Sequence, residues 1–297
     1  MNLLVTGAWQ QAKQYIDIIE KIGHNVCFIQ FEKDELPCEY EWVEGIIGNG
    51  IFLTHPIERF KNLKYIQLTS AGFDRVPMDY VKKHQIVINN ARGVYSLPMA
   101  EYAVAGVLSL YKEQRFFAQK QNKHVWEKKR DIKELAGQNV CIFGCGSVGT
   151  ECAKRFKAFD CIVWGIDIEI KSHENFSRIY PLEESKKVVA KSDIVIITLP
   201  LTVETYHMFD KEIFDVMKVG TIIVNIARGA LLNTEALIDA LKNKLGGAVL
   251  DVFEEEPLGE SLLWDMENAI ITPHNSFVGN GNSKRLSKVI MNNLEKC

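Results

Sequence analysis

The run Gly144-Cys145-Gly146-Ser147-Val148-Gly149 stands directly after a segment that reads as a buried strand, NVCIF, and directly before one with helical spacing. In that context GxGxxG has a mechanical meaning, whereas the bare pattern is weak. Gly144 permits the tight turn, Gly146 lets backbone approach a pyrophosphate, and Gly149 lets helix and strand pack closely. The first amides of the helix, at Ser147 and Val148, then join the helix dipole in holding phosphate. Asp167 follows Gly149 by eighteen positions, near the ~20-residue spacing at which an acid meets the adenosine ribose hydroxyls. A carboxylate there repels a 2′-phosphate, and no cation follows until Lys171, so NAD is favoured over NADP. The plainer alternatives are a set of turn glycines and a strand-end turn residue.

A dinucleotide loop of this kind belongs to a doubly wound α/β sheet, and the surrounding pattern agrees. From about Gln138 onward, NVCIFG, CIVWGID, DIVIITLP, TIIVNIA, GAVLD and AIITP alternate with amphipathic stretches, which predicts six parallel strands. Val148, Cys152, Phe156 and Phe159 recur at helical spacing, as do Leu237, Ile238 and Leu241 after a candidate cap at Thr234. The first ninety residues show the same alternation in NLLVTG, NVCFIQ, VEGIIGN, YIQLTS and IVINN, a smaller α/β unit. Pro98 to about Gln119 contains no breaker and predicts one long helix leading into the second unit. A last amphipathic stretch, Ser283 to Leu294, is expected to return to the first. The predicted organisation is therefore residues 1–94 and 277–297 as a flavodoxin-like substrate domain, with a Rossmann dinucleotide domain, 95–276, inserted into it.

At 297 residues the chain has room for two such cores, and 47% hydrophobic with 25% charged residues fits a globular protein. A formal charge of -3 and scattered cations give nucleic acid no landing surface; the densest cluster, Lys128-Lys129-Arg130, reads as a solvated turn. No apolar stretch approaches the ~20 residues that cross a bilayer. The opening MNLLVTG has no secretory pattern, so a cytoplasmic location is expected. Seven cysteines point to reduced thiols, and Cys141 with Cys145 lack the second ligand pair that zinc needs.

Three segments fall at the carboxyl ends of later predicted strands, where open α/β sheets bind ligands: Asn225-Ile226-Ala227-Arg228-Gly229, Asp251 to Pro257, and Thr272-Pro273-His274-Asn275-Ser276. Together with the glycine loop, PLTVETYH and Ser70-Ala71-Gly72-Phe73-Asp74, they make the chain resemble the D-isomer-specific 2-hydroxyacid dehydrogenases over nearly its whole length. The resemblance implies hydride transfer between NAD and C2 of a small 2-hydroxy or 2-keto acid. It makes His274 the acid–base, which the chemistry of a ketone reduction also requires. Glu256, the glutamate before Pro257, would bond the other ring nitrogen and favour the protonated imidazole. Arg228 would grip the substrate carboxylate and polarise the carbonyl. Backbone amides of Ala71 and Gly72 are implied as further carboxylate donors in a cleft between the domains, with Tyr95 lining it. Asp251 and the backbone at Ala227 are implied as nicotinamide carboxamide partners, and Pro200 and Thr205 as cofactor wall. Homodimerisation through the nucleotide domain is the family habit, with the helix from Pro98 as a contributor. Outside the pattern, an Arg before Gly is ordinarily a surface residue, three consecutive Glu a solvated loop, and a His after Pro a satisfied buried side chain.

The chain departs from the family at Asn275, where many members carry a small or aliphatic residue. It also stops soon after the His, so the regulatory domain of some phosphoglycerate dehydrogenases is not expected. Glu256 stands where formate dehydrogenases have Gln. The alternatives are a glyoxylate or hydroxypyruvate reductase and a 3-phosphoglycerate dehydrogenase, the last needing extra cations such as Arg75 or Arg92. From another class comes an NAD(H)-sensing interaction protein, since the C-terminal-binding-protein corepressors share this pattern.

Overall fold

The computed structural model describes residues 1–296. Contacts between Cα atoms divide the chain into two units, Met1–Tyr95 with the residues from Gly279 on, and Ser96–Val278.

The first unit is a five-stranded parallel sheet in the order β2-β1-β3-β4-β5, the flavodoxin-like order. Its strands are β1 (Asn2–Thr6), β2 (Asn25–Ile29), β3 (Gly45–Gly48), β4 (Tyr65–Leu68) and β5 (Val87–Asn89), and its first two helices are α1 (Ala12–Lys21) and α2 (Met78–Lys83). Both faces are covered, as a parallel sheet requires. Alternate residues of one strand serve opposite cores: Leu4 packs with Ile46, Phe60 and Ile66, whereas Leu3 and Val5 pack with Trp9, Ile19 and Tyr65. The second of these cores is completed by the last helix, α9 (Asn282–Leu294 of the chain), through Leu286, Ile290 and Leu294. Trp9 Nε1 donates to Ser287 Oγ at 2.9 Å inside it.

Between these pieces, the second unit starts with α3 (Ser96–Tyr111) and α4 (Gln114–Asn122) and continues through β6 (Asn139–Phe143), α5 (Ser147–Ala158), β7 (Ile162–Ile166), β8 (Arg178–Tyr180), α6 (Ser185–Val189), β9 (Ile194–Ile197), α7 (Lys211–Val216), β10 (Ile222–Asn225), α8 (Thr234–Asn243), β11 (Gly247–Leu250) and β12 (Ala269–Ile271). The sheet order is β12-β11-β10-β9-β6-β7-β8, parallel throughout. Strand order reverses between β6 and β9, which makes that pair the switch point. Val140 and Ile142 of β6 face a core shared with α3 and α5, and Cys141 and Phe143 face one shared with α7 and α8.

Three expectations need correction. Seven strands, not six, form the larger sheet: β8 is a three-residue edge strand paired to β7 at Trp164↔Arg178, and one isoleucine between polar residues leaves no period to read. The expected long helix is two helices, because Glu113 takes a left-handed backbone (φ 54). A non-glycine residue there costs about 1–2 kcal/mol; contacts offset it, with Lys129 Nζ 2.8 Å from the Glu113 carboxylate and Lys112 Nζ 2.7 Å from the Lys133 carbonyl. The cap of α8 is Asn233, whose Oδ1 accepts from Ala236 N at 2.9 Å, not Thr234.

Asp193, at the start of β9, links three elements: its carboxylate accepts from Asn139 N (2.9 Å) and from Lys218 Nζ (2.7 Å). Burial opposes its ionisation, but those bonds outweigh it and hold its pKa below the ordinary value. A depressed folded pKa contributes stability above the unfolded value of about 3.9 and loses it as pH falls through the folded value. Asp193→Asn is therefore expected to lower the urea midpoint at pH 7, with the deficit shrinking progressively as pH falls below about 3.9. A deficit of the same size at both ends of that range would contradict this.

Candidate active site

The glycine loop opens α5, with Gly146 as the residue preceding its first turn. Gly144 has φ +90, and a Cβ at Gly149 would lie 1.9 Å from the Gly144 carbonyl oxygen, so the turn excludes side chains at both. A Cβ at Gly146 would meet nothing within 4 Å. Packing inside the protein therefore does not account for that glycine. Asp167, just past β7, sets its Oδ2 2.6 Å from Cys145 N and its Oδ1 2.9 Å from Glu169 N. One carboxylate thus sits against the glycine loop, as a ribose-binding acid must. Lys171, the nearest following cation, is paired to Glu169 at 2.7 Å. The residues fit a dinucleotide with an unphosphorylated ribose. Cys145 sits among them with its thiol pushed up to about 12 by burial and by Asp167, which makes it a poor nucleophile.

After β9, Thr205 Oγ1 donates to the Pro200 carbonyl at 2.8 Å and accepts from Thr202 N at 2.8 Å. The two expected wall residues thus belong to one compact turn.

The carboxyl ends of β10, β11 and β12, adjacent in the sheet, deliver the remaining groups. Asn225, fully buried at the end of β10, accepts from Ala227 N at 3.1 Å and donates to the Arg228 carbonyl at 2.9 Å, which fixes the backbone beneath the guanidinium. A Cβ at Gly229 would fall 1.8 Å from the Phe253 carbonyl carbon, so this loop lies directly on the one carrying Glu256.

Glu256 and His274 are brought together: His274 Nδ1 is 2.8 Å from Glu256 Oε2, while Glu256 Oε1 accepts from Phe253 N at 3.0 Å. Both side chains are part-exposed. Of the three consecutive glutamates, Glu256 alone pairs with His274; Glu254 turns to His207 and Thr234. His274 has φ 50, and its amide donates to the Asp251 carbonyl at 2.8 Å.

Asp251 has a role that spacing could not show. It is fully buried, and its carboxylate accepts from Thr272 Oγ1 (2.6 Å), Asn275 N (2.7 Å) and Ser276 N (2.8 Å). It thereby shapes the turn that presents His274, and Tyr102 of α3 extends the chain through Thr272 Oγ1 at 2.5 Å. Asn275 enters this network through its backbone amide.

In the first unit, Asn90 Nδ2 donates to the Ala71 carbonyl at 2.6 Å and Ser70 Oγ to the Gly72 carbonyl at 3.1 Å. Tyr95 donates its hydroxyl to the Thr69 carbonyl beside them.

Residues 104–276 match the family described as D-isomer specific 2-hydroxyacid dehydrogenase, NAD binding domain. The chain belongs to the D-isomer-specific 2-hydroxyacid dehydrogenases. It is an NAD-dependent oxidoreductase of CH–OH donors, and its second unit holds the NAD-binding domain. Among its relatives is the D-lactate dehydrogenase of Staphylococcus aureus, 31% identical over 72% of this chain and 70% of that one. The D-3-phosphoglycerate dehydrogenase of Methanocaldococcus jannaschii is 28% identical over 95% of this chain, which spans 55% of that protein. A solved D-isomer specific 2-hydroxyacid dehydrogenase family protein from Aeromonas salmonicida superposes with a TM-score of 0.82 at 27% identity, covering 98% of this chain and 94% of that one.

Proposed function

We propose that this dehydrogenase reduces a small, unphosphorylated 2-keto acid to the D-2-hydroxy acid, with His274 as acid–base, Glu256 as its partner and Arg228 as carboxylate anchor. The 2.8 Å pair of His274 and Glu256 carries the reading. Engaging Nδ1 with a carboxylate leaves Nε2 to deliver the proton, and the Phe253 amide keeps the carboxylate from swinging away. The bound dinucleotide supplies the hydride to C2. As C2 gains it, His274 gives its Nε2 proton to the carbonyl oxygen, and oxidation runs the same transfers backward. Arg228 binds the carboxylate through its planar fork and draws charge toward the carbonyl oxygen.

For the first unit, the proposed substrate contacts are the amides of Ala71 and Gly72 and the side chain of Tyr95. In the second, Gly144, Gly146, Ser147, Val148 and Gly149 hold the pyrophosphate and Asp167 the ribose. Pro200 and Thr205 wall the cofactor, and Ala227 and Asp251 face the carboxamide. We assign residues from Ser96 to Val278 as the dinucleotide domain and the first unit as the substrate domain. NADH absorbance followed with pyruvate, 2-ketoisocaproate, glyoxylate, hydroxypyruvate and 3-phosphohydroxypyruvate tests the reading. Turnover is expected on unphosphorylated acids; none on any acid would overturn it in favour of an NAD(H)-binding interaction protein.

We further propose a cytoplasmic homodimer. The six described cysteines are free, and among the described residues no helix is long and apolar enough to cross a membrane. Beside α4 lies a groove of about 790 Å³ lined by Phe117, Val125 and Trp126, with Trp126 95% exposed. The exposed indole, set among Lys120, Glu127, Lys128, Lys129 and Arg130, supports the reading that this groove is where a second copy associates. Trp126→Asp is expected to halve the mass seen by light scattering; an unchanged mass would exclude this surface.

A further inference from the structure

We propose that Glu254 is a positioning residue for the reaction, its carboxylate clasping together the loops that carry the cofactor wall, Arg228 and Glu256. The inference rests on the roles proposed above for those residues, and its geometry is independent of them. Glu254 Oε2 lies 2.7 Å from His207 Nε2, and Oε1 accepts from both Thr234 N (2.8 Å) and Thr234 Oγ1 (2.5 Å).

Each partner belongs to a different functional segment. His207 ends the turn that holds Pro200 and Thr205, and its own amide donates to the Ala230 carbonyl at 2.8 Å, two residues beyond Arg228. Phe209 N continues the contact to the Leu231 carbonyl at 3.0 Å, and Asn233 N returns to the Phe209 carbonyl at 3.0 Å. Thr234 opens α8, where an unpaired first-turn amide and the helix dipole both favour a carboxylate. Glu254 itself stands two residues before Glu256, on backbone already pressed against Gly229. The ring of Tyr206 stacks on His207, centroids 4.0 Å apart, and limits the imidazole's swing.

The side chains of His207 and Glu254 are 26% and 31% exposed, so each is covered in part by its own loop. Burial opposes ionisation of Glu254, yet the bonds from Thr234 and His207 hold its pKa below the usual carboxylate value. An isolated exposed ion pair would contribute little and leave catalysis untouched. A clasp on three loops acts differently, since displacing reacting groups by ~1 Å can cost about 10²-fold.

The full-length protein carrying Glu254→Gln, Glu254→Asp or His207→Gln is assayed with NADH and glyoxylate, the smallest 2-keto acid. For Glu254→Gln we expect kcat to fall about tenfold, with KM for glyoxylate shifting less than about threefold. The pH profile of kcat/KM for reduction should change as Glu256 loosens from His274. Glu254→Asp should recover part of kcat, and His207→Gln, which leaves the Thr234 bonds and hence the helix start in place, should reproduce that change. Unchanged kcat and pH limbs in both Glu254→Gln and His207→Gln would overturn the clasp. If His274→Asn is inactive in the same assay, only the clasp has failed. Should His274→Asn remain active, the proposed function has failed first.

Discussion

Replacing His274 with Asn is expected to lower kcat for keto-acid reduction about 10³-fold, within the 10²–10⁴ range of a positioned acid–base, while NADH affinity stays within about threefold. That loss corresponds to ~4 kcal/mol of transition-state stabilisation. Asn can keep a hydrogen bond toward Glu256 and tolerates the left-handed backbone that position 274 adopts at φ 50. The substitution therefore removes the transferable proton with little disturbance of the turn, whose shape comes from Asp251 bonds to Thr272, Asn275 and Ser276. Glu256→Gln should cost less, about tenfold to a hundredfold, because the imidazole stays and only the charge beside it goes. The ordering separates the two roles. Steady-state kinetics with NADH fluorescence titration checks it, and a His274→Asn enzyme retaining more than a tenth of wild-type kcat would remove the acid–base assignment.

Much of this arrangement is legible in the chain because long-range order is written locally in a doubly wound sheet. Buried parallel strands must be continuous apolar runs, and NVCIF, DIVIIT and TIIVN are such runs bounded by turn residues. The glycine loop is legible for a stronger reason: the left-handed backbone at Gly144 and the lack of room for a Cβ at Gly149 mean that the turn dictates the residue. What stays hidden depends on partners distant in sequence. β8 contributes three residues to an edge, below the length at which alternation is visible. The break between α3 and α4 is held by Lys129 and Lys133, sixteen or more positions beyond Glu113, and no Gly or Pro announces it. Choosing Glu256 among three glutamates took a family pattern, since only the fold shows that Glu254 faces His207 and Thr234 while Glu256 faces His274. His207 itself gave no signal: a histidine in a polar turn becomes informative only with its carboxylate in view.

Arg228→Lys provides the second large effect: kcat/KM for the 2-keto acid is expected to fall about 10²–10³-fold, or roughly 3–4 kcal/mol, although the charge is conserved. Arg228 is held by its surroundings before any substrate arrives. Asn225 clamps the backbone on both sides, Gly229 is seated against Phe253, and Nη1 donates to the Ala227 carbonyl at 2.7 Å. A guanidinium so anchored holds its donors in one plane, the geometry that suits a carboxylate, and its rigidity lowers the entropy lost on binding. Lysine presents one strongly hydrated ammonium on a flexible stem, so it cannot hold the Ala227 carbonyl and both carboxylate oxygens in one plane. The loss should appear in KM and in kcat together, because in the proposed role the same fork would bind the substrate and stabilise charge developing on its carbonyl oxygen. NADH affinity should change far less, since the glycine loop and Asp167, proposed to hold the pyrophosphate and ribose, lie at β6 and β7 and the Ala227 backbone is kept by Asn225. Added guanidinium ion should restore part of the activity of Arg228→Ala and none of that of His274→Asn. Rescue of both or of neither would show that Arg228 does not act as a separable carboxylate anchor.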